Sequence, residues 1–153
     1  EGFLEDAQAA LAKGADINFV DHEGWTPLHI TLVHHPPRYA EIVRLLLAQK
    51  ADPDREDRSG RSPMLLAASH GLADSVKDLA KVSKKPGATD AHGYNTLAHA
   101  AMGRHHDVIR ELLAARVDPS SAHPSIVEES EPEIRRLLGV RDAKARASAV
   151  PPA

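Results

Sequence analysis

Short apolar stripes at helical spacing alternate with polar breaks marked by glycine and proline along most of the chain. Leu4, Ala7, Ala10 and Leu11 come first and share one helical face, and Gly14 stands where a helix stops in a left-handed residue. The next helix is expected from Thr26 to about His34, with a hydroxyl N-cap at Thr26 and Pro27 at the first helical position, where its missing N–H costs nothing. A partner is expected from about Arg38 to Gln49, on the wide stripe of Ile42, Val43, Leu45, Leu46 and Leu47. His34-His35-Pro36-Pro37 between them reads as a lengthened loop, because two prolines cannot continue a helix.

The plan then repeats. Ser62 and Pro63 open a helix packed by Leu65, Leu66, Ala67 and Ala68, and Gly71 breaks it. Ser75 to Ala80 begins its partner, which Lys84-Lys85-Pro86-Gly87 ends. Asn95 starts another helix kept thin by Ala98, Ala100 and Ala101, followed by one over Asp107 to Leu113. Ile126-Val127 and Ile134 to Leu138 can form a last, shorter pair, with Glu128, Glu129, Glu131, Glu133, Arg135 and Arg136 as its polar cap. From Arg141 to Ala153 no apolar period survives, so residues 1–140 are expected to form one domain and 141–153 a disordered tail.

One phrase precedes each central helix pair. It reads Asp21-His22-Glu23-Gly24-Trp25-Thr26-Pro27-Leu28-His29, then Asp57-Arg58-Ser59-Gly60-Arg61-Ser62-Pro63-Met64-Leu65, then Asp90-Ala91-His92-Gly93-Tyr94-Asn95-Thr96-Leu97-Ala98. Its glycines, Gly24, Gly60 and Gly93, are 36 and then 33 positions apart. A period near 33 with a Thr-Pro-Leu-His phrase resembles the ankyrin repeat family, and the likeness runs from about Leu4 to Val140. It implies an all-α solenoid of helix–turn–helix units joined by β-hairpins or loops, with about three central units and degenerate end caps. It also implies that the helix opening at Leu4 is the second of its unit, that the Thr–Pro pair caps, that Leu28 is core, and that His29 bonds nearby backbone. Thr26 to His29 match the phrase fully. Leu65 and Ala98 stand where the later copies would have the histidine.

Partners of this family meet the hairpin tips and the inner side of the first helices. The matching tip positions are His22, Glu23 and Trp25; Arg58, Ser59 and Arg61; and Ala91, His92 and Tyr94. The helix positions are Val33 and His34, Ser69 and His70, and Met102. Trp25, the sole tryptophan, is expected to be exposed, and with Tyr94, Arg58 and Arg61 it would anchor a partner, since aromatics and arginine dominate interface energies.

Composition narrows the alternatives. Aromatics make up 3% of residues, so the core must be Leu, Ile, Val and Ala, which suits close-packed short helices. A net charge of −3 argues against a nucleic-acid surface, and no apolar run approaches the ~18 residues of a membrane span. The absence of cysteine excludes disulfides and thiolate chemistry. The ten histidines do not make a metal site: His29 and His34 are five apart, the pairs His34-His35 and His105-His106 diverge, and tips His22 and His92 lie roughly 20 Å apart in stacked helical layers. Ser69-His70 and Ser83 lack a nucleophile elbow, and no phosphate-binding glycine loop is present. Paired carboxylates such as Glu5-Asp6 read as solvated surface, and Lys81, Lys84 and Lys85 as the polar end of a helix.

The sequence thus predicts a monomeric, non-catalytic binder of a protein partner that needs no cofactor, no small-molecule substrate, no membrane and no nucleic acid. Adaptor, inhibitor and immunity protein remain open, as does the alternative of a targeting part of a longer enzyme. A cytoplasmic location is expected, with export the other option, because the chain starts at Glu1 without an initiator methionine.

Overall fold

A computed structural model describes residues 2–139, so the tail expected at 141–153 lies outside the described residues. The helices are α1 (Gly2–Ala12), α2 (Pro27–His34), α3 (Tyr39–Ala48), α4 (Pro63–Ser69), α5 (Ala73–Ala80), α6 (Thr96–Met102), α7 (His106–Ala114), α8 (Pro124–Glu129) and α9 (Pro132–Leu137), with a 3-10 turn at Pro119–Ser121. They stack in two rows. First helices α2, α4, α6 and α8 pack in succession, and second helices α1, α3, α5, α7 and α9 form the parallel row. Each first helix after α1 also packs on the second helix of its own unit. The arrangement is an all-α solenoid.

The caps follow the repeated phrase. Thr26, Ser62 and Asn95 are the N-caps of α2, α4 and α6, and each side-chain oxygen accepts the backbone N–H three residues on. They stand at matching corners of successive layers. Between the rows lies one continuous aliphatic core: Leu28, Leu32, Met64, Leu66, Leu97, Leu79, Ile109 and Leu112 are all fully buried. On α3, Ile42, Val43 and Leu46 are buried, while Leu45 and Leu47 are half-buried against the core. Fully burying a leucine contributes about 1.5–3 kcal/mol, so short helices that would be marginal alone are held by their neighbours.

Three of the second helices, α1, α3 and α7, end alike. Gly14, Lys50 and Arg116 all have positive φ, and the following residue donates its N–H to the carbonyl five positions back (Ala15 to Ala10, Ala51 to Leu46, Val117 to Leu112). Only the first of these left-handed ends is marked by a glycine. Two expectations need correction. Ala10 is exposed and lies off the packed face of α1. α5 stops at Ala80 rather than at Lys84, because Asp54 of the preceding unit captures the chain: its carboxylate accepts Ser83 Oγ–H and, at 2.8 Å, the Lys84 N–H. Of the β-hairpins or loops expected as connections, the structure has turns: among the described residues no strand forms, and the one bridge is Thr89 with Asn95.

Candidate partner-binding face

Each of the three connections folds around its own aspartate. Asp21 Oδ1 accepts the N–H groups of Glu23 and Trp25 at 2.9 Å, Asp57 Oδ1 those of Ser59 (2.8 Å) and Arg61 (2.9 Å), and Asp90 Oδ1 those of His92 (2.8 Å) and Tyr94 (3.0 Å). A backbone bond then closes each turn, from Asp21 N–H to Trp25 O, Asp57 to Arg61 and Asp90 to Tyr94. Short side chains that satisfy local N–H groups are what let such turns form without a strand ladder.

Successive turns are joined. Arg58 N–H donates to Glu23 O and Ala91 N–H to Ser59 O, both at 3.1 Å. The glycines make room for this contact. Gly60 has φ +72°, and a Cβ there would stand 2.9 Å from the Ala91 nitrogen; a Cβ on Gly24 would stand 3.2 Å from that of Arg58. Gly93, beyond which no further turn is seated, has open space. His22, Glu23, Arg58, Ser59, Ala91 and His92 are therefore exposed tips at fixed spacing along one ladder.

The anchor positions behave differently from the tips. Trp25 is half-buried, not exposed: its Nε1–H donates to Asp57 Oδ2 of the next unit at 3.1 Å, and its ring meets the His34 ring edge-on at 6.2 Å. Arg61 is also half-buried, with its guanidinium on the same carboxylate at 2.8 and 2.9 Å. Tyr94 is half-buried between the rings of His99 (6.3 Å) and His123 (5.5 Å). On the inner helices His34, His70 and Met102 are exposed, while Val33 and Ser69 are half-buried. Val33 packs on the core, and Ser69 Oγ–H donates to Leu66 O.

Electrostatics at the corners are local. Burial would raise the Asp57 carboxyl, yet the N–H groups and guanidinium of Arg61 and the N–H of Ser59 hold it below the usual range. Burial likewise opposes ionisation of Asp90, and the His99 ring at 2.9 Å with two backbone N–H groups reverses it. His29 is fully buried. Its Nε2–H donates to Arg61 O (3.1 Å) while Nδ1 accepts the Thr26 N–H (3.2 Å), so the neutral ring links two units. Desolvation pushes its pKa below that of a free histidine. Among the described residues no three His, Asp or Glu side chains converge as a metal ion would require.

Two features escaped the sequence reading. The aspartates opening each phrase are the turn staples, and their recurrence three residues ahead of each glycine was the available signal. An open apolar groove of about 680 Å³ also lies at the α1 end, bordered by Phe3, Ala7, Pro27, Ile30, His34 and Pro37. Its signal was Ile30, an apolar residue off the Leu28/Leu32 face and 40% exposed.

Comparison with known proteins agrees with this architecture. A family model described as ankyrin repeats (3 copies) matches residues 1–90 and 37–123. The chain is 35% identical over 122 residues to Ankyrin repeat domain-containing protein 63 of Mus musculus, 72% of this chain and 31% of that protein. It is 27% identical over 113 residues to Protein glp-1 of Caenorhabditis elegans (69% and 8%) and 42% identical over 71 residues to the 2-5A-dependent ribonuclease of Homo sapiens (46% and 9%). The chain thus spans less than a third of each of these relatives. No helix among the described residues is long and apolar enough to cross a membrane. With caps, phrase, stacking and family match in agreement, the chain belongs to the ankyrin repeat family.

Proposed function

We propose that this chain grips a protein partner along the ladder of tips and the adjoining inner ends of α2, α4 and α6, without altering it chemically. Ankyrin repeat proteins generally mediate protein–protein interaction, and the repeat domain itself is a non-catalytic module. The observation that carries the reading here is the pair of 3.1 Å backbone bonds between successive tips. They fix His22, Glu23, Arg58, Ser59 and His92 in register before any partner arrives, so little ordering entropy is lost on binding. Trp25, Arg61 and Tyr94 hold that surface in place and add their exposed edges to it. His34, His70 and Met102 extend it along the helices, with Val33 and Ser69 beneath.

A second reading has one observation behind it. A relative named as a ribonuclease matches this chain over 9% of its own length, so a repeat segment of this kind occurs within a larger enzyme. In that case the face would serve as the targeting or regulatory part of a longer protein.

Affinity capture with wild type beside an Arg58→Ala/His92→Ala/Met102→Ala variant tests the proposal. The same proteins should be lost from the variant while its melting temperature stays that of wild type. Undiminished capture by the folded variant would overturn it.

A further inference from the structure

The tips and inner helix ends carry more imidazole than a rigid scaffold requires. His22, His34, His35, His70 and His92 are all exposed. His35, at the left-handed end of α2, and His70, at the end of α4, face each other across the two units with ring centroids 5.0 Å apart. We propose that this face takes a carboxylate-rich segment of its protein partner, and that one partner carboxylate bridges the solvent-facing edges of the touching His35 and His70 rings when both carry a proton. The proposal rests on the partner-binding reading above and names the chemistry of that partner.

The charge inventory supports it. Beside Met102, Arg104 pairs with Glu131 at 3.1 Å and Glu129 stands near; at the tips the carboxylates are Asp21, Glu23, Asp57 and Asp90 and the guanidiniums are Arg58 and Arg61. Three of those carboxylates are turned inward onto backbone N–H groups, and Arg61 is spent on Asp57. That leaves Arg58, which is exposed and makes no ion pair among the described residues, and Glu23, whose neighbour at 3.5 Å is His22. The sign of the face is therefore set by its five exposed imidazoles, the side-chain type whose charge changes nearest neutral pH.

Geometry singles out the His35–His70 pair. Two protonated rings in edge contact repel, and a carboxylate bridging their outer edges offsets the repulsion, so proton uptake and anion binding reinforce each other. No carboxylate pairs with either ring among the described residues: after His35 the Arg38 guanidinium holds Glu5 and Glu41, and beside His70 the His105 ring bonds Ser69 O at 3.1 Å. His70 Nδ1–H is spent on Leu66 O at 2.9 Å, beside Ser69 Oγ, which leaves Nε2 outward. The other side of His35 meets the Tyr39 ring. His34 meets Trp25, His22 faces Glu23 and Asp21, and His92 touches no charged side chain among the described residues.

Calorimetric titration with a ten-residue polyaspartate peptide at pH 5.5 and 7.5 tests this. Binding should be about tenfold or more tighter at pH 5.5. A His35→Gln/His70→Gln variant should lose most of that difference, while Arg58→Gln should weaken binding at both pH values and keep it. Thermal melts at both pH values confirm that each variant is folded; the substitutions lie at exposed helix ends. Equal affinity at the two pH values, an unchanged pH difference in the double variant, or tighter binding of a ten-residue oligothymidylate than of the peptide would each overturn the proposal. If the peptide result fails while the Arg58→Ala/His92→Ala/Met102→Ala variant still loses its captured partners, the binding face stands and only the acidic chemistry falls.

Discussion

Replacing Asp57 by alanine removes four bonds at one corner. The carboxylate accepts Ser59 and Arg61 N–H on one oxygen, and Arg61 guanidinium and Trp25 Nε1–H on the other. Hydrogen bonds to a charged group are worth about 1.5–3 kcal/mol when buried, and the Asp57 side chain is 1% exposed. Arg61 is 35% exposed, so solvent recovers part of its loss, and the two backbone donors regain water once the turn opens. A net cost of about 3 kcal/mol follows, or roughly 6–12 °C in melting temperature for a domain of this size. Asp21 staples the first turn through the same two backbone bonds but holds no residue of another unit, so Asp21→Ala should lose well under half as much. Urea unfolding followed by Trp25 fluorescence reads both, since the only tryptophan sits on the affected joint. Because the folded-state pKa of Asp57 is depressed, its contribution is present above the unfolded value near pH 4 and fades as pH falls through the folded one. The variant should therefore show a shallower acid slope than wild type. Equal losses for Asp57→Ala and Asp21→Ala would refute the idea that this corner ties adjacent units together.

Gly60→Ala should cost about 2–3 kcal/mol in chemical denaturation, combining left-handed strain with a Cβ 2.9 Å from the Ala91 nitrogen, whereas Gly93→Ala, with the strain alone, should cost about 1 kcal/mol. Leu46→Ala should cost on the order of 2–5 kcal/mol, in the lower half of that range because Leu46 also borders the open groove, where neighbours can close in; a neutral result would misplace α3. His29 binds its proton less readily in the folded chain than in the unfolded one, so its stabilising contribution is complete above about pH 6.5 and declines as pH falls below that value. Urea midpoints between pH 7.5 and 5.5 should drop more in wild type than in His29→Gln, and parallel curves would show that the ring does not titrate with unfolding.

What could be read from sequence depended on how local the cause was. Thr26, Ser62 and Asn95 cap the helix that begins at the next residue, so their role is legible from neighbours alone. The stop at Gly14 was legible because glycine is the residue that most readily takes positive φ, while the equivalent stops at Lys50 and Arg116 were not, because packing there overrides the preference. The end of α5 was misplaced for the same reason: Asp54, some thirty positions away, decides it. Trp25 failed as an exposed residue because its partner, Asp57, belongs to the next unit. Local pattern gave the repeat and the turns, and the joints between repeats needed coordinates.

That distinction decides which substitutions can test binding. In a stack where each unit touches only its neighbours, the residues that display a surface also include those that join its layers. Trp25 does both: its indole N–H holds Asp57 while its ring lies along His34. Trp25→Ala should therefore lower stability by about 1–2 kcal/mol, by unmaking one bond to a buried carboxylate, and weaken partner capture as well, so a loss of binding there cannot be assigned to lost contact. Arg58 separates the two. Only its backbone N–H serves the joint, a bond that Arg58→Ala leaves intact, and its side chain forms no ion pair among the described residues. If Arg58→Ala shifted the melting temperature as much as Trp25→Ala, the Arg58 side chain would be part of the joint as well, and capture lost on replacing it could not be assigned to lost contact.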